Sequence, residues 1–397
     1  MMSIKYYFSD LEYGSEEEKA VLQVLKSRWL TMGPRTEEFE RSFSQILDGT
    51  GCALVSSGTT ALHLALKILD VGAGDEVILP SLTFAATANV VQACGARCVF
   101  ADIEQLTVPL LCPEDVRRKI TGRTRVIMPV HYAGFSANMR EIQRIVEQER
   151  KRRKKAGEKR PLYIVEDAAH AAGARDRDGR ALGAIGDLGC FSLFSNKNIA
   201  TGEGGIIAAK EEGLMKRIKL LRSHGLTRQT WERHSGDFVP GDYPYDLVEP
   251  GYNYRPTEIT AALGLAQLKK LFRINNKRAS LFRYAHKALD KIPGLSLPFS
   301  HPEKWGVPSY HLLPILLQDQ ETRIHAGKVL FEAGIQTSQH YRPVHTMSYY
   351  KKISPRGKRS LALTEDYALR ELTLPLHAGL ERADMDVILD TLRKALS

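Results

Sequence analysis

At 397 residues the chain exceeds the roughly 250–300 residues that one hydrophobic core usually organises, so two domains are expected. A hydrophobic share of 43% with 26% charged residues describes a globular protein and excludes a disordered or fibrous one. No apolar run approaches the roughly 20 residues of a membrane span, and the net charge of +10 is concentrated: eight basic residues against three acids between Glu147 and Arg160 supply half of it.

The opening segment carries Lys5, Asp10, Glu12 and Glu16 to Glu18 and lacks a signal-peptide core, so a cytoplasmic location is expected. Residues 1–18 are read as an N-terminal arm. Short apolar runs then predict strands at Ala53 to Val55, Glu76 to Leu79, Ala96 to Phe100, Arg125 to Val130, Leu162 to Val165, Leu188 to Leu193 and Gly205 to Ala209. Helical patterns such as Thr59 to Ile68 and Ala86 to Cys94 separate them, which predicts an α/β fold with a largely parallel sheet covered on both faces. In such sheets ligands bind at the carboxyl ends of the strands. Five cysteines, Cys52, Cys94, Cys98, Cys112 and Cys190, lack the paired spacing of a zinc site and are read as reduced and mostly buried, with no metal expected. The basic stretch 147–160 has no interleaved aromatic residues, so it is read as a solvated surface, and no nucleic-acid partner is expected. Beyond Arg255, Pro256-Thr257-Glu258 opens a helical pattern through Leu268. A second helix is predicted from about Ile274 to Ile292, then a strand over Tyr310 to Leu317 and two further helices. The large domain is placed at 19–269 and a smaller C-terminal one at 270–397.

Three places carry chemistry. Lys197 sits on a short polar bend between the apolar run Cys190 to Phe194 and Gly202-Glu203-Gly204-Gly205. The run Leu162 to Val165 ends in Glu166-Asp167, and Val55 leads through Ser56-Ser57-Gly58-Thr59 into an apolar-periodic helix. A lysine and an acid at strand ends are the pair that pyridoxal phosphate requires, the lysine as a Schiff base and the acid to keep the ring nitrogen protonated. A small polar turn opening a helix offers free amides and a dipole to a phosphate. Taken singly, each has an ordinary structural explanation: a solvated loop lysine, an acid capping the next helix, a capping turn.

Taken together, these motifs resemble the DegT-type (DegT/DnrJ/StrS) sugar aminotransferases. Ser57-Gly58-Thr59, Gly74 to Pro80, Thr83-Phe84, Glu166-Asp167, Lys197 with Gly202 to Gly205, Gly251 to Arg255 and Leu374-Pro375-Leu376-His377 stand in the order and at about the spacing of that family, over nearly the whole chain. The resemblance implies an aspartate-aminotransferase-like fold of type I, with a large cofactor-binding domain and a smaller C-terminal α/β domain. It implies pyridoxal 5'-phosphate as cofactor, glutamate as amino donor, a nucleotide-linked keto-sugar as acceptor, and a role in amino-sugar biosynthesis for a polysaccharide or antibiotic. Lys197 would carry the cofactor and then act as acid and base, and Asp167, rather than Glu166, would meet the ring nitrogen. Phe84 would stack on the ring, with Ser57, Gly58, Thr59 and Ser192 around the phosphate. His170 stands near the phenolic oxygen, where many relatives carry Gln. Asn253 resembles the residue that reaches the phosphate of the neighbouring subunit, which implies a homodimer with shared active sites. Arg222, Arg255 and Arg342 lie in or near segments resembling the substrate-cleft borders, and guanidinium forks suit a diphosphate. Three other readings are open: an aminotransferase or synthase on a cyclitol or aminobenzoate-type ring, a sugar dehydratase, against which Lys197 speaks because that subgroup has histidine there, and a non-enzymatic regulatory relative.

Overall fold

The computed structural model describes residues 4–228, 245–353 and 361–396. The N-terminal part contains α1 (Ser15–Ser27), α2 (Pro34–Ile46), β1 (Gly51–Val55), α3 (Gly58–Ile68), β2 (Glu76–Pro80), α4 (Ala85–Ala93) and β3 (Arg97–Ala101). A hairpin of β4 (Ile103–Gln105) and β5 (Val108–Leu111) follows, then α5 (Pro113–Lys119), β6 (Thr124–Ile127), α6 (Met139–Lys155), β7 (Tyr163–Asp167), β8 (Leu188–Ser192), β9 (Gly205–Ala209), α7 (Glu212–Arg222) and α8 (Glu258–Leu289). The C-terminal part holds β10 (Leu313–Leu316), α9 (Gln320–Glu332), α10 (Ser348–Ile353), α11 (Ala362–Arg370), β11 (Glu371–Leu374) and α12 (Arg382–Leu396).

Seven strands form one sheet in the order β1-β9-β8-β7-β6-β2-β3. All neighbours from β8 to β3 run parallel, while β9 runs antiparallel to both β1 and β8. Side chains alternate across each strand, so the sheet feeds two separate cores. Leu54, Ile78, Ile127, Ile164 and Phe191 enter the core that α2 and α6 cover. Val55, Val77, Leu79, Val126, Val165 and Cys190 enter the other, under α3 and α4. Burial on both faces explains why these strands read as unbroken apolar runs.

The edge strand β1 would expose unpaired backbone groups without a cover. Glu40 of α2 accepts the Leu54 amide at 2.9 Å, and Arg222 of α7 donates to the Leu54 carbonyl at 2.7 Å. The two side chains also pair with each other, so a buried ion pair stands in for a neighbouring strand.

Three expectations need correction. The two helices predicted around 258–292 are one, Glu258–Leu289, because no glycine or proline interrupts 269–273 and the charged residues there lie on the helix surface. That helix passes from the sheet core at Ala261 and Leu271 to the C-terminal core at Phe282, Ala285 and Leu289, so position 270 lies inside it. The arm is extended only as far as Gly14, since α1 starts at Ser15, and position 18 also falls within a helix. The strand near Tyr310 to Leu317 is Leu313–Leu316, and β11, which the sequence reading did not include, pairs with it antiparallel. In the basic stretch, Arg150 pairs with Asp187, Arg153 with Glu149 and Arg160 with Asp75, while Lys151, Lys154, Lys155 and Lys159 are exposed. Among the described residues, no helix is long and apolar enough to cross a membrane.

Removing Arg222 leaves the buried Glu40 with only the partly exposed Lys219, 3.3 Å from its Oε2, and takes the Arg222 donor from the Leu54 carbonyl. Arg222→Ala is therefore expected to destabilise the protein by about 3–5 kcal/mol, read as a lower urea midpoint. Arg222→Lys should recover only part of the loss, because an ammonium lacks the fork that spans Glu40 and the Leu54 carbonyl.

Candidate active site

The carboxyl ends of β1, β2, β7 and β8 open into a cavity of about 430 Å³. Ser57, Gly58, Thr59, Phe84, Asp167, His170, Ser192 and Lys197 all line it, as do Thr87, His340 and Tyr341.

Ser57 caps α3 by accepting the Thr60 amide at 3.1 Å, which leaves the Gly58 and Thr59 amides at the head of the helix facing the cavity without an intrahelical partner. The approach of chains here is close. A Cβ on Gly58 would lie 2.9 Å from the Ser192 Cβ, and one on Gly205 would lie 2.2 Å from the Ser57 carbonyl oxygen. Glycine at both positions lets the ends of β8 and β9 press against the start of α3 and form a cradle.

Lys197 lies on the connection between β8 and β9. That connection is closed at its base by the Leu193 amide on the Gly204 carbonyl at 2.9 Å and the Thr201 amide on the Leu193 carbonyl at 2.8 Å. The lysine amine opens to the cavity yet lies deep among protein atoms, and this burial lowers its pKa to about 8, with Asp167 opposing and Arg278 reinforcing. Asp167 is buried at the end of β7, where its Oδ2 accepts from Thr87 Oγ1 at 2.8 Å and its Oδ1 from the Ala169 amide at 3.2 Å. Burial raises its pKa, and these hydrogen bonds and Lys197 act against that rise.

The adjacent Glu166 points to the other face of the sheet. It accepts from His131 Nε2 and the Gly183, Ile185 and Gly186 amides at 2.6–2.9 Å, and its pKa is lowered despite full burial. Its acceptor positions are thus occupied, whereas Asp167 faces the cavity.

His170 Nε2 lies 3.0 Å from the Tyr341 hydroxyl, and burial lowers the histidine's pKa strongly, so the ring is neutral. Its Nδ1 is buried and has no hydrogen-bond partner. Phe84 is 63% exposed, with its ring at the cavity mouth 6.2 Å from that of Tyr341.

Four predicted residues lie off this cavity. Arg222 is 1% exposed and engaged with Glu40 and Leu54, so the expectation that it binds substrate is corrected: its guanidinium closes the sheet edge. Arg255 is half-buried. Arg342 is exposed and donates to the Thr346 carbonyl at 3.2 Å, while its neighbour Tyr341 lines the cavity. Asn253 is exposed and bridges Ser223 through its backbone. Sequence reasoning missed Thr87 as the partner of Asp167. Its signal was the one-turn spacing of Thr83 and Thr87 after a strand, two hydroxyls that meet at 2.8 Å.

These features fit pyridoxal phosphate. Asp167 is a buried carboxylate with no ion pair among the described residues, Lys197 is a lysine with a lowered pKa, the head of α3 presents open amides, and Phe84 offers an uncovered aromatic face. The comparisons with known proteins agree. The profile of the DegT/DnrJ/EryC1/StrS aminotransferase family matches residues 12–393, and the chain belongs to that family. It is a pyridoxal-phosphate-dependent sugar aminotransferase of fold type I. The spore coat polysaccharide biosynthesis protein SpsC of Bacillus subtilis is 34% identical over 384 residues, which cover 96% of this chain and 94% of SpsC. Spr1654 of Streptococcus pneumoniae, assigned as a sugar aminotransferase, superposes in its PMP form with a TM-score of 0.88 at 29% identity over 98% of each chain. Helicobacter pylori PseC, an aminotransferase of pseudoaminic acid biosynthesis, superposes with a TM-score of 0.86 at 28% identity over 98% of this chain and 99% of its own.

With a pKa of about 8, roughly one Lys197 amine in ten is neutral at pH 7, against roughly one in three thousand at the ordinary lysine value. The rate at which cofactor-free protein captures pyridoxal phosphate should therefore rise with pH and level off above about 8. Stopped-flow absorbance over pH 6–10 checks this; a rate still climbing tenfold per pH unit at pH 9 would contradict it.

Proposed function

We propose that this enzyme takes an amino group from glutamate and passes it to the keto group of a nucleotide-linked deoxysugar, acting in the cytoplasm as a homodimer with shared active sites. The observation that carries the amino-transfer reading is the placement of Lys197 and Asp167 on one cavity with the head of α3. The sugar class is supported by family membership and by the sugar-related roles printed for SpsC and PseC.

The bound cofactor supplies an electron sink that stabilises negative charge on the carbon bearing the reacting nitrogen. Gly58 and Thr59 amides with Ser57 and Ser192 hydroxyls would hold its phosphate. Asp167 would meet the ring nitrogen and favour its protonated form, since a buried carboxylate is stabilised by a cationic partner. Thr87 orients Asp167 through its hydroxyl. Phe84 would cover one face of the ring. Lys197 would carry the cofactor, and its amine, with a lowered pKa, would take up and return a proton at the substrate carbon. Microscopic reversibility gives the same nitrogen the reverse transfers in the second half-reaction.

Asn253 is exposed and off this protomer's cavity, which accords with a role toward a partner copy. Leu22 and Leu25 on α1, and Leu247 and Val248 near Asn253, add exposed apolar surface that a second copy would cover. Arg255 and Arg342 are the guanidinium candidates for the diphosphate.

The test is the visible absorbance of the protein loaded with pyridoxal phosphate, followed by glutamate and then by keto nucleotide-sugars. Glutamate should remove the pyridoxal band and a keto nucleotide-sugar should restore it. Lys197→Ala should lose the band and all turnover, and Asp167→Asn should keep the band but slow proton removal by about a hundredfold or more. A band indifferent to glutamate overturns the donor, and full turnover by Lys197→Ala overturns the mechanism.

A further inference from the structure

We infer that Asn198 is a positioning residue for Lys197, the junction of a buried hydrogen-bonded lattice that ties the lysine-bearing connection to α8 and to the segment entering β10. The inference rests on Lys197 as the cofactor-bearing lysine.

Asn198 is buried and follows Lys197 directly. Its Nδ2 donates to the Ser309 carbonyl at 2.8 Å and to Asn275 Oδ1 at 2.6 Å, and its Oδ1 lies 2.9 Å from His311 Nδ1. Asn275 Nδ2 in turn donates to the Ala172 carbonyl at 3.0 Å. Carbonyls only accept, so both ends of this chain fix the orientation of both amides. His311 must then carry its proton on Nδ1, and burial lowers its pKa strongly, so the ring is neutral.

The lattice reaches the second polar wall of the cavity as well. Ser309 Oγ donates to the His170 carbonyl, and the His311 and His170 rings stand 4.2 Å apart. Arg278 of α8 donates to the His311 carbonyl at 3.3 Å and to the Leu376 carbonyl at 2.7 Å, which anchors the segment from behind. One set of bonds therefore fixes Lys197 and His170 relative to each other through backbone far apart in sequence. Neither Asn198 nor Asn275 lines the cavity, so their effect on chemistry passes through the backbone of Lys197.

An aspartate at 198 would set an acceptor oxygen in place of Nδ2 against two other acceptors, the Ser309 carbonyl and Asn275 Oδ1, and an apolar side chain would leave three buried groups unpaired. Only a primary amide of this length satisfies all three. The charges that act on the Lys197 amine are Asp167 from β7 and Arg278 from α8, with the neutral rings of His170, His311 and His340 packed around it. Loosening the lattice changes these separations and admits water, so the proton affinity of the lysine nitrogen reports on it.

The experiment is a pH titration of the visible absorbance of full-length protein loaded with pyridoxal phosphate, comparing wild type with Asn198→Ala and Asn275→Ala. Both variants should move the midpoint in the same direction, upward by about half a pH unit or more, as burial of the nitrogen is relieved. In steady state, kcat should fall by about tenfold with KM for glutamate little changed, as expected for lost orientation. Asn275→Ala removes the bond from Asn198 Nδ2 and the bond to the Ala172 carbonyl while leaving the Ser309 and His311 contacts of Asn198 in place, so it decides the matter should Asn198→Ala fail to fold. Unshifted midpoints alongside a lower melting temperature would make the lattice a support of the fold only and overturn the inference. A Lys197→Ala control that keeps the visible band would instead overturn the reading of Lys197 itself.

Discussion

Parallel strands end on the same edge, and the site is a consequence of that constraint. Ser57 follows β1, Thr83 and Phe84 follow β2, Asp167 ends β7 and Ser192 ends β8, so four separate stretches converge without any long loop. The one reversed strand completes the arrangement. Because β9 runs antiparallel to β8, it begins at the edge where β8 stops, and the chain between them must turn over the cavity with Lys197 on it. The same strand pairs with β1 and sets Gly205 opposite Val55, which carries the head of α3 to the lysine.

Burial acts on the two principal groups in opposite senses, and both effects favour neutrality. It lowers the proton affinity of Lys197 and raises that of Asp167. Each group also tempers the shift of the other, since Lys197 lowers the Asp167 value and Asp167 raises that of Lys197. Glu166 shows the contrast one residue away. Four donors surround it on the far side of the sheet, so it keeps its charge and serves the fold. Two neighbouring carboxylates thus take different roles because a strand sends successive side chains to opposite faces.

That contrast also explains what was legible in the chain. Short apolar runs marked all seven strands of the main sheet, and Lys197, Asp167 and Ser57 to Thr59 were visible because each sits at a fixed offset from a strand end. What escaped depends on partners far away in sequence. Arg222 meets Glu40 across 182 positions, and nothing in Arg222-Ser223-His224-Gly225 signals that its charge closes a sheet edge. Tyr341 meets His170 across 171 positions and Asn198 meets His311 across 113, so neither contact has a local pattern. The continuity of α8 was obscured for a different reason. It crosses from one core to the other, and its apolar face shifts where the partner changes.

The open side of the cavity rests on that second core. His340 and Tyr341 are held from below by β11: the His340 amide donates to Glu371 Oε2 at 2.8 Å, and its Nδ1 lies 2.8 Å from Thr373 Oγ1. Tyr132 donates to the His340 carbonyl at 2.7 Å, and the Phe8 ring of the arm stacks on the His340 ring at 5.2 Å. Burial pushes Glu371 up to about 8, so near neutrality it is largely protonated and puts little charge behind this wall. The lysine end of the cavity therefore depends on the sheet and on the contacts of Asn198, and the end carrying Tyr341 depends on the arm and the C-terminal core. Changes packed beneath β11 reach the mouth directly, and through β10, which pairs with β11, and the Ser309 and His311 contacts of Asn198 they also reach the connection that carries Lys197.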